Sequence, residues 1–256
     1  MVAIELASGH AMPLLGLGTW NLRGAACERV VQMALQVGYR HIDTAYMYEN
    51  QIEVGRGLRS SGVERSEVFV TTKIWRDALQ YDQILQQFAA CLEMLAMDYV
   101  DLLLVHWPNE TVPLAETLRA FDEIAASGRA RSVGVSNFTP PLIDEACALA
   151  TAPIVNNQVE LHVGNIDELL LEHCQHKTVS VTAYRPLAKG DAANDALLME
   201  IGERHAKSAA QVALRWLVQQ EIVAIPKASS EQHLRANMDI FDWTLDAQEM
   251  QQLRRL

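Results

Sequence analysis

The sequence predicts a single α/β domain over residues 1–256, folded as a (β/α)8 barrel of the TIM type, and three observations carry that expectation. Short apolar runs alternate with amphipathic stretches from residue 14 onward, eight such pairs can be counted, and 256 residues match the roughly 250 that one eight-fold barrel takes. The runs are near-continuously apolar rather than alternating, the pattern of parallel strands covered on both faces. No linker, low-complexity run or break in composition marks a second domain.

The elements follow in order. Two short strands flank Ser8-Gly9, a turn signal, and are expected to form a hairpin that closes the bottom of the barrel. Residues 14–17 make the first barrel strand and run into a loop at Gly18-Thr19-Trp20. Helical periodicity over residues 26–37 stops at Gly38, because a residue without Cβ suits the left-handed position that ends a helix. Strand 40–43, helix 49–60, strand 68–73, helix 81–97 and strand 100–106 continue the alternation. Helix 113–127, closed by Gly128, leads to strand 130–135. Thr139-Pro140 offers a hydroxyl cap and a first-turn proline to helix 139–150. Strand 153–159, helix 167–176 and strand 178–183 come next. The last unit is longer, with helices at 191–205 and 208–219 before strand 222–226, then a helix at 230–239 and a closing helix at 245–256.

Lys and Arg number 21 against 32 Asp and Glu, a formal charge of -11, which argues against a nucleic-acid footprint or a polybasic membrane anchor. An anionic ligand would need a local basic pocket. Cys27, Cys91, Cys147 and Cys174 are scattered without zinc or redox spacing and read as thiols of a reducing compartment. The N-terminus lacks the charged and apolar regions of a signal peptide, and no apolar run reaches about 18 residues. The expectation is a soluble, cytoplasmic monomer with no nucleic-acid or membrane partner.

Polar residues stand at the C-terminal ends of three predicted strands, where parallel α/β folds keep their active sites. In His41-Ile42-Asp43-Thr44-Ala45-Tyr46-Met47-Tyr48 a carboxylate ends one strand and a phenol follows it; Lys73 ends the next strand and His106 the one after. A free tyrosine, with a pKa of about 10, is a sluggish proton donor near neutrality. A cation beside it stabilises the phenolate. Lys73 is placed to be that cation, and Asp43 to be the counter-charge that a buried lysine needs. His106 can hydrogen-bond a carbonyl oxygen and fix its orientation. The four make a proton-donating set for a carbonyl, with no residue left over that requires a metal. Singly, each has a plain structural reading: a packing tyrosine, a solvated lysine, a turn at His106-Trp107-Pro108. Their convergence on one rim favours the chemical one.

The motifs Gly16-Leu17-Gly18-Thr19-Trp20, Gly38-Tyr39-Arg40-His41-Ile42-Asp43-Thr44-Ala45, Tyr48-Glu49-Asn50, Thr72-Lys73-Ile74-Trp75, Asp98-Tyr99-Val100-Asp101-Leu102, His106-Trp107-Pro108, Gly134-Val135-Ser136-Asn137-Phe138, Asn157-Gln158-Val159-Glu160 and Ile225-Pro226-Lys227 run the length of the chain in one order. Together they resemble the aldo-keto reductases, and within that family the small bacterial 2,5-diketo-gluconate and methylglyoxal reductases. The resemblance implies an NADPH-dependent carbonyl reductase with Tyr48 as general acid, Lys73 and Asp43 as its tuning pair and His106 positioning a small carbonyl substrate. It assigns Ser136, Asn137 and Gln158 to the nicotinamide carboxamide and Tyr184 to stacking on the ring. Gly18, Thr19, Trp20, Arg185, Leu187 and Ile225 would line the rest of the cofactor. Lys227, Ser229, Ser230, His233 and Asn237, around the start of the last barrel helix, would meet its adenosine end, where a point charge, hydroxyls and a helix dipole suit a 2′-phosphate. No glycine-rich phosphate loop of the doubly wound kind is present, so the cofactor rests on the resemblance.

Two departures from the family pattern stand out. Where the family often has Ser directly after the lysine and Arg six places on, this chain has Ala228 and His233, with Arg235 two places further. NADPH is the expected cofactor, and NADH use stays open. The family also folds a C-terminal segment over the barrel mouth; this sequence stops at Leu256, and the loop from His106 to Pro113 is short. An open mouth is expected, with Trp20, Trp75 and Trp107 as substrate surfaces, high KM and broad tolerance of small aldehydes. Two other readings remain. A non-catalytic NADP(H)-binding regulatory or interaction subunit would show a long appended N-terminal segment or a damaged tetrad. A metal-dependent sugar isomerase would need several converging carboxylates and histidines, and Glu160 and His162 are the only additional pair.

Overall fold

Strands β1 (Ala3–Glu5) and β2 (Ala11–Pro13) pair antiparallel, turning at Gly9, whose φ of +79° carries no penalty in a residue without Cβ. Leu6 and Met12 of this hairpin are buried, and Ser8 Oγ lies 2.7 Å from Ser132 Oγ, just ahead of a barrel strand. The structure is a computed structural model that describes residues 2–256; Met1 lies outside the described residues.

Eight parallel strands follow: β3 (Leu17–Gly18), β4 (His41–Asp43), β5 (Phe69–Ile74), β6 (Leu102–Val105), β7 (Val133–Ser136), β8 (Ile154–Glu160), β9 (Ser180–Tyr184) and β10 (Val223–Ala224), each beside the next in chain order. The sheet then closes on itself. Leu15 bridges Ala224, the Gly16 N–H donates to the Ala224 carbonyl at 2.9 Å, and the Gly18 N–H donates to the Pro226 carbonyl at 3.1 Å. Closure removes both edges of the eight-stranded sheet. Every residue of β4 to β7 is buried, as the continuous apolar runs predict.

Helices α1 (Gly24–Val37), α2 (Gln51–Ser60), α3 (Tyr81–Leu95), α4 (Leu114–Ala126), α5 (Pro140–Leu149) and α6 (Glu168–His176) cover the outside, followed by α7 (Ala196–His205), α8 (Ala209–Val218), α9 (Glu231–Met238) and α10 (Ala247–Arg254). None of the helices among the described residues is long and apolar enough to cross a membrane.

Four expectations are corrected. Regular pairing of the first barrel strand is shorter and later than residues 14–17, because closure onto β10 needs only a bridge at Leu15. The helix expected over 191–205 is two elements: a 3-10 segment, Ala188–Asn194, is broken at Lys189 and Gly190 by φ of +59° and +108°, and Asp195 then caps α7 by accepting the Leu198 N–H at 2.9 Å. The Thr139 hydroxyl makes no capping bond to α5, where prolines at the first two positions already remove two of the N–H groups that a helix start leaves unpaired. Finally, α2 begins at Gln51 rather than at residue 49, because Glu49 is left-handed (φ +52°) and ends a separate 3-10 turn, Tyr46–Tyr48.

One buried polar group inside the barrel has a thermodynamic consequence. His41 is fully enclosed, its Nε2 lies 3.1 Å from Thr71 Oγ1, and a Cβ on Gly16 would sit 2.6 Å from its Nδ1, so the neighbouring strand must carry glycine there. Burial pushes its pKa down to about 4, against the pull of Asp43. The unfolded chain takes up this proton below about 6.5 while the native imidazole stays neutral, so acid favours unfolding. We predict that stability by urea denaturation falls as pH is lowered from about 6.5 to 4, with His41 contributing on the order of 3 kcal/mol. His41→Asn should flatten part of that slope, and an unchanged slope would refute the assignment.

Candidate active site

The polar cluster lies at the C-terminal end of the barrel because three neighbouring strands end together there. In the register, Asp43 is beside Thr71, and Lys73 is beside Leu104, two residues short of His106. Asp43, Lys73 and His106 are 1%, 0% and 8% exposed, so none is solvated as a surface residue would be. Lys73 Nζ donates to Asp43 Oδ1 at 2.5 Å, to the Thr44 carbonyl at 3.0 Å and to the Tyr48 hydroxyl at 3.4 Å. The His106 ring meets the edges of Tyr48 and Trp75, with centroids 5.6 and 5.0 Å away.

Electrostatics assign each group a protonation state. Burial pulls the Lys73 ammonium down, but Asp43 and Tyr48 outweigh it and hold its pKa above the ordinary lysine value, so it stays charged. Burial pushes the Tyr48 phenol above its usual value, with Lys73 pulling the other way, so the proton remains on oxygen through neutral pH. Burial, helped by the Lys73 charge, pushes His106 down to about 3. The imidazole is therefore neutral, and its Nδ1 is enclosed without a partner among the described residues.

A second set of polar residues joins this cluster across the rim. Gln158 Nε2 donates to the other oxygen of Asp43 at 2.8 Å, and Ser136 Oγ donates to the Gln158 carbonyl at 2.7 Å. Asn137, held at φ +62°, donates to Ser136 Oγ and to the His106 carbonyl, both at 3.0 Å, and accepts the Tyr184 hydroxyl at 3.0 Å. The residues that the resemblance assigned to a nicotinamide thus form one hydrogen-bonded chain from Asp43 to His106.

The remaining assigned residues divide by placement. Trp20 and Trp107 are exposed at the rim, and Trp75 is half-buried, its indole N–H on Asp77. Arg185 pairs with Glu160 at 2.8 Å and lies over the rings of Trp20 and Tyr184, at 5.5 and 5.8 Å. His162 stands 4.0 Å from Glu160, so this carboxylate is already met by a cation and an imidazole. Leu187 is half-buried. Lys227, Ser229 and His233 are exposed; Ser230 caps α9 by accepting the His233 N–H, and Arg235 pairs with Glu231. Four residues face inward instead. The Thr19 hydroxyl donates to the Asp43 carbonyl at 2.9 Å, Ile225 packs in the core, and Asn237 is buried against the Tyr39 hydroxyl. Gly18 is where the barrel closes, and a Cβ there would lie 2.7 Å from the Ile225 carbonyl oxygen.

Sequence reasoning missed Thr44, whose carbonyl accepts from Lys73, and the Gln158–Asp43 bond. It also gave no role to Asn50 or Arg23, which hold the loops around Tyr48. Asn50 has a sequence signal in the Tyr48-Glu49-Asn50 motif; Arg23 has none.

Known proteins resemble this chain along nearly its whole length. The profile of the aldo/keto reductase family matches residues 14–256. The 9,11-endoperoxide prostaglandin H2 reductase of Trypanosoma cruzi is 38% identical over 257 residues, covering 99% of this chain and 90% of that one. The glyoxal reductase of Bacillus subtilis is 37% identical over 254 residues, covering 99% and 92%. A solved structure assigned as a 2,5-diketo-D-gluconic acid reductase B superposes with a TM-score of 0.94 at 41% identity, covering 98% of this chain and 89% of that one.

The buried ion pair generates a stability prediction. Asp43→Asn leaves an enclosed ammonium without its counter-charge and should cost about 3–5 kcal/mol in chemical denaturation. Replacing both partners in Asp43→Asn/Lys73→Met should recover most of that loss. Equal loss in the double variant would show that the penalty is not the stranded charge.

Proposed function

The chain belongs to the aldo/keto reductase family, and we propose that it uses NADPH to reduce small aldehydes and ketones, α-ketoaldehydes and keto sugars foremost, with Tyr48 as the proton donor. One observation carries the reading: the Tyr48 hydroxyl lies 3.4 Å from an ammonium that is itself 2.5 Å from a buried carboxylate. Burial keeps the phenol protonated until a carbonyl oxygen begins to take negative charge, and the ammonium then stabilises the phenolate left behind. Asp43 keeps the ammonium charged. His106, neutral, has its Nε2 available to hold the carbonyl oxygen beside the Tyr48 hydroxyl.

The residues present fit a nicotinamide dinucleotide. Tyr184 offers an aromatic face, Ser136, Asn137 and Gln158 offer hydroxyl and amide groups at adjacent strand ends, and Lys227, Ser229 and Ser230 precede the start of α9. Arg185 and Lys227 place positive charge at this end of a chain whose net charge is -11, the local basic site an anionic cofactor needs. A reduced nicotinamide, when bound, supplies a hydride to the carbonyl carbon.

The substrate class rests on the relatives' names and on the rim, where Trp20 and Trp107 keep 45% and 39% of their surface exposed. We read residues 1–256 as one barrel domain and the enzyme as a cytoplasmic monomer, consistent with four unpaired cysteines.

Three outcomes test this. Tyr48→Phe should lower kcat for methylglyoxal by about 10²- to 10⁴-fold with the Kd for NADPH unchanged, and near-full activity would overturn the acid assignment. Because burial raises the Tyr48 pKa, the reduction rate should be level through neutral pH and fall only in the alkaline range. Lys227→Ala should weaken NADPH by about tenfold in a fluorescence titration and leave NADH unaffected, if Lys227 meets the 2′-phosphate.

A further inference from the structure

Tyr48 occupies an insecure place for a residue that must meet a partner at 3.4 Å, near the limit for a hydrogen bond. It ends a single 3-10 turn, Tyr46–Tyr48, whose other two residues are 38% exposed. Lone turns of this kind have little stability of their own. Something outside the turn must fix it, and two side chains serve: one binds together the segments around the turn, the other bonds the turn itself.

The first is Asn50, wholly buried two residues on. Its Nδ2 donates to the Thr19 carbonyl at 2.9 Å and to the Leu22 carbonyl at 3.1 Å, and its Oδ1 accepts the Thr44 hydroxyl at 2.9 Å. Two of these partners lead back to the reacting cluster. Thr44 is the residue whose carbonyl accepts from Lys73. Thr19 donates through both its N–H and its hydroxyl to the Asp43 carbonyl, at 3.0 and 2.9 Å. Thr19 and Leu22 flank Trp20, the exposed rim indole. The second side chain is Arg23, exposed at the start of α1, whose guanidinium donates to the backbone carbonyl of Tyr48 itself and, at 3.4 Å, to that of Leu22.

We propose that Asn50 and Arg23 are positioning residues for the proton donor, locking the Tyr48 turn, the Trp20 loop and the Asp43–Thr44 strand end into one unit. Neither touches the reacting atoms. Asn50 ties the Thr19 and Leu22 carbonyls to the Thr44 hydroxyl from the inside, and Arg23 pins the acid's own backbone from the outside. The inference rests on the reading of Tyr48 as proton donor.

Arg23→Ala is the primary test, because an exposed side chain can be removed without loss of core packing. It should lower kcat for carbonyl reduction roughly fivefold, one hydrogen bond's worth of positioning, with an increased solvent isotope effect as proton transfer becomes more limiting. Its melting temperature and its Kd for NADPH should match the parent protein, and Arg23→Lys should restore part of the rate. Asn50→Ala should lower kcat on the order of a hundredfold and raise KM as the Trp20 loop loosens. Wild-type kcat and isotope effect in Arg23→Ala overturn the proposal, as does a weakened Kd for NADPH, which would make Arg23 a cofactor contact. Tyr48→Phe run in parallel separates the two readings: if it stays active, the acid assignment fails; if it is dead while Arg23→Ala is unaffected, only the positioning role fails.

Discussion

A fully enclosed ammonium organises the top of this barrel. Moving a lysine out of water costs several kcal/mol, so Lys73 is tolerable only where its donors are answered at once. Asp43, the Thr44 carbonyl and the Tyr48 hydroxyl answer them, and Gln158 takes the second oxygen of Asp43. These groups come from β4, the turn after it, β5 and β8, so the charge can be housed only when the strands are in register. The same demand that makes the site chemically useful thereby specifies the fold around it.

The opposite end of the barrel solves a similar problem without leaving chemistry behind. Asp101 is buried there and accepts from Arg65 at 2.7 Å, from the Val70 N–H at 2.9 Å and from Arg131 at 3.1 Å, while both guanidiniums lie over the Tyr99 ring at 4.1 and 4.0 Å. Every oxygen is met by a fixed donor, and a guanidinium does not serve as a proton donor to a substrate. At the top, one of the groups meeting the buried charge is a phenol, which can. Location decides the rest: strand ends hold Asp43, Lys73 and His106 rigidly, while Tyr48 ends a short turn and Trp20 and Trp107 sit on loops.

Polar continuity around the rim ties orientation to acidity. The run from Gln158 through Ser136 and Asn137 to the His106 carbonyl means that the neutral imidazole and the charged pair are parts of one framework, with the Tyr184 hydroxyl as a branch. Side chains committed in this way lose little entropy when a ligand arrives, and a site built on them is preorganised. The partial commitment of Arg185 to Glu160, half-exposed between two aromatic rings, is of a different kind and leaves its charge open to a ligand at the mouth.

Much of this was legible in the residues. Apolar runs broken by amphipathic ones point to a parallel sheet covered on both faces, eight such units in 256 residues point to its closure as a barrel, and polar residues at the ends of those runs then gather at one rim, so Asp43, Tyr48, Lys73 and His106 could be named together. Local signals fared less evenly. Gly38 ends α1 as expected, whereas Thr139 caps nothing and the stretch from 188 to 195 breaks, because left-handed residues at Lys189 and Gly190 carry no mark in side-chain periodicity. What only the tertiary structure decided are the pairings between residues far apart in the chain: Gln158 with Asp43 across 115 positions, Arg23 with Tyr48 across 25, and the inward turn of Thr19 and Asn237. Periodicity reports which face of an element is buried, and it is silent on which partner a hydrogen-bonding group meets there. That is settled by register and closure, which belong to the folded barrel as a whole.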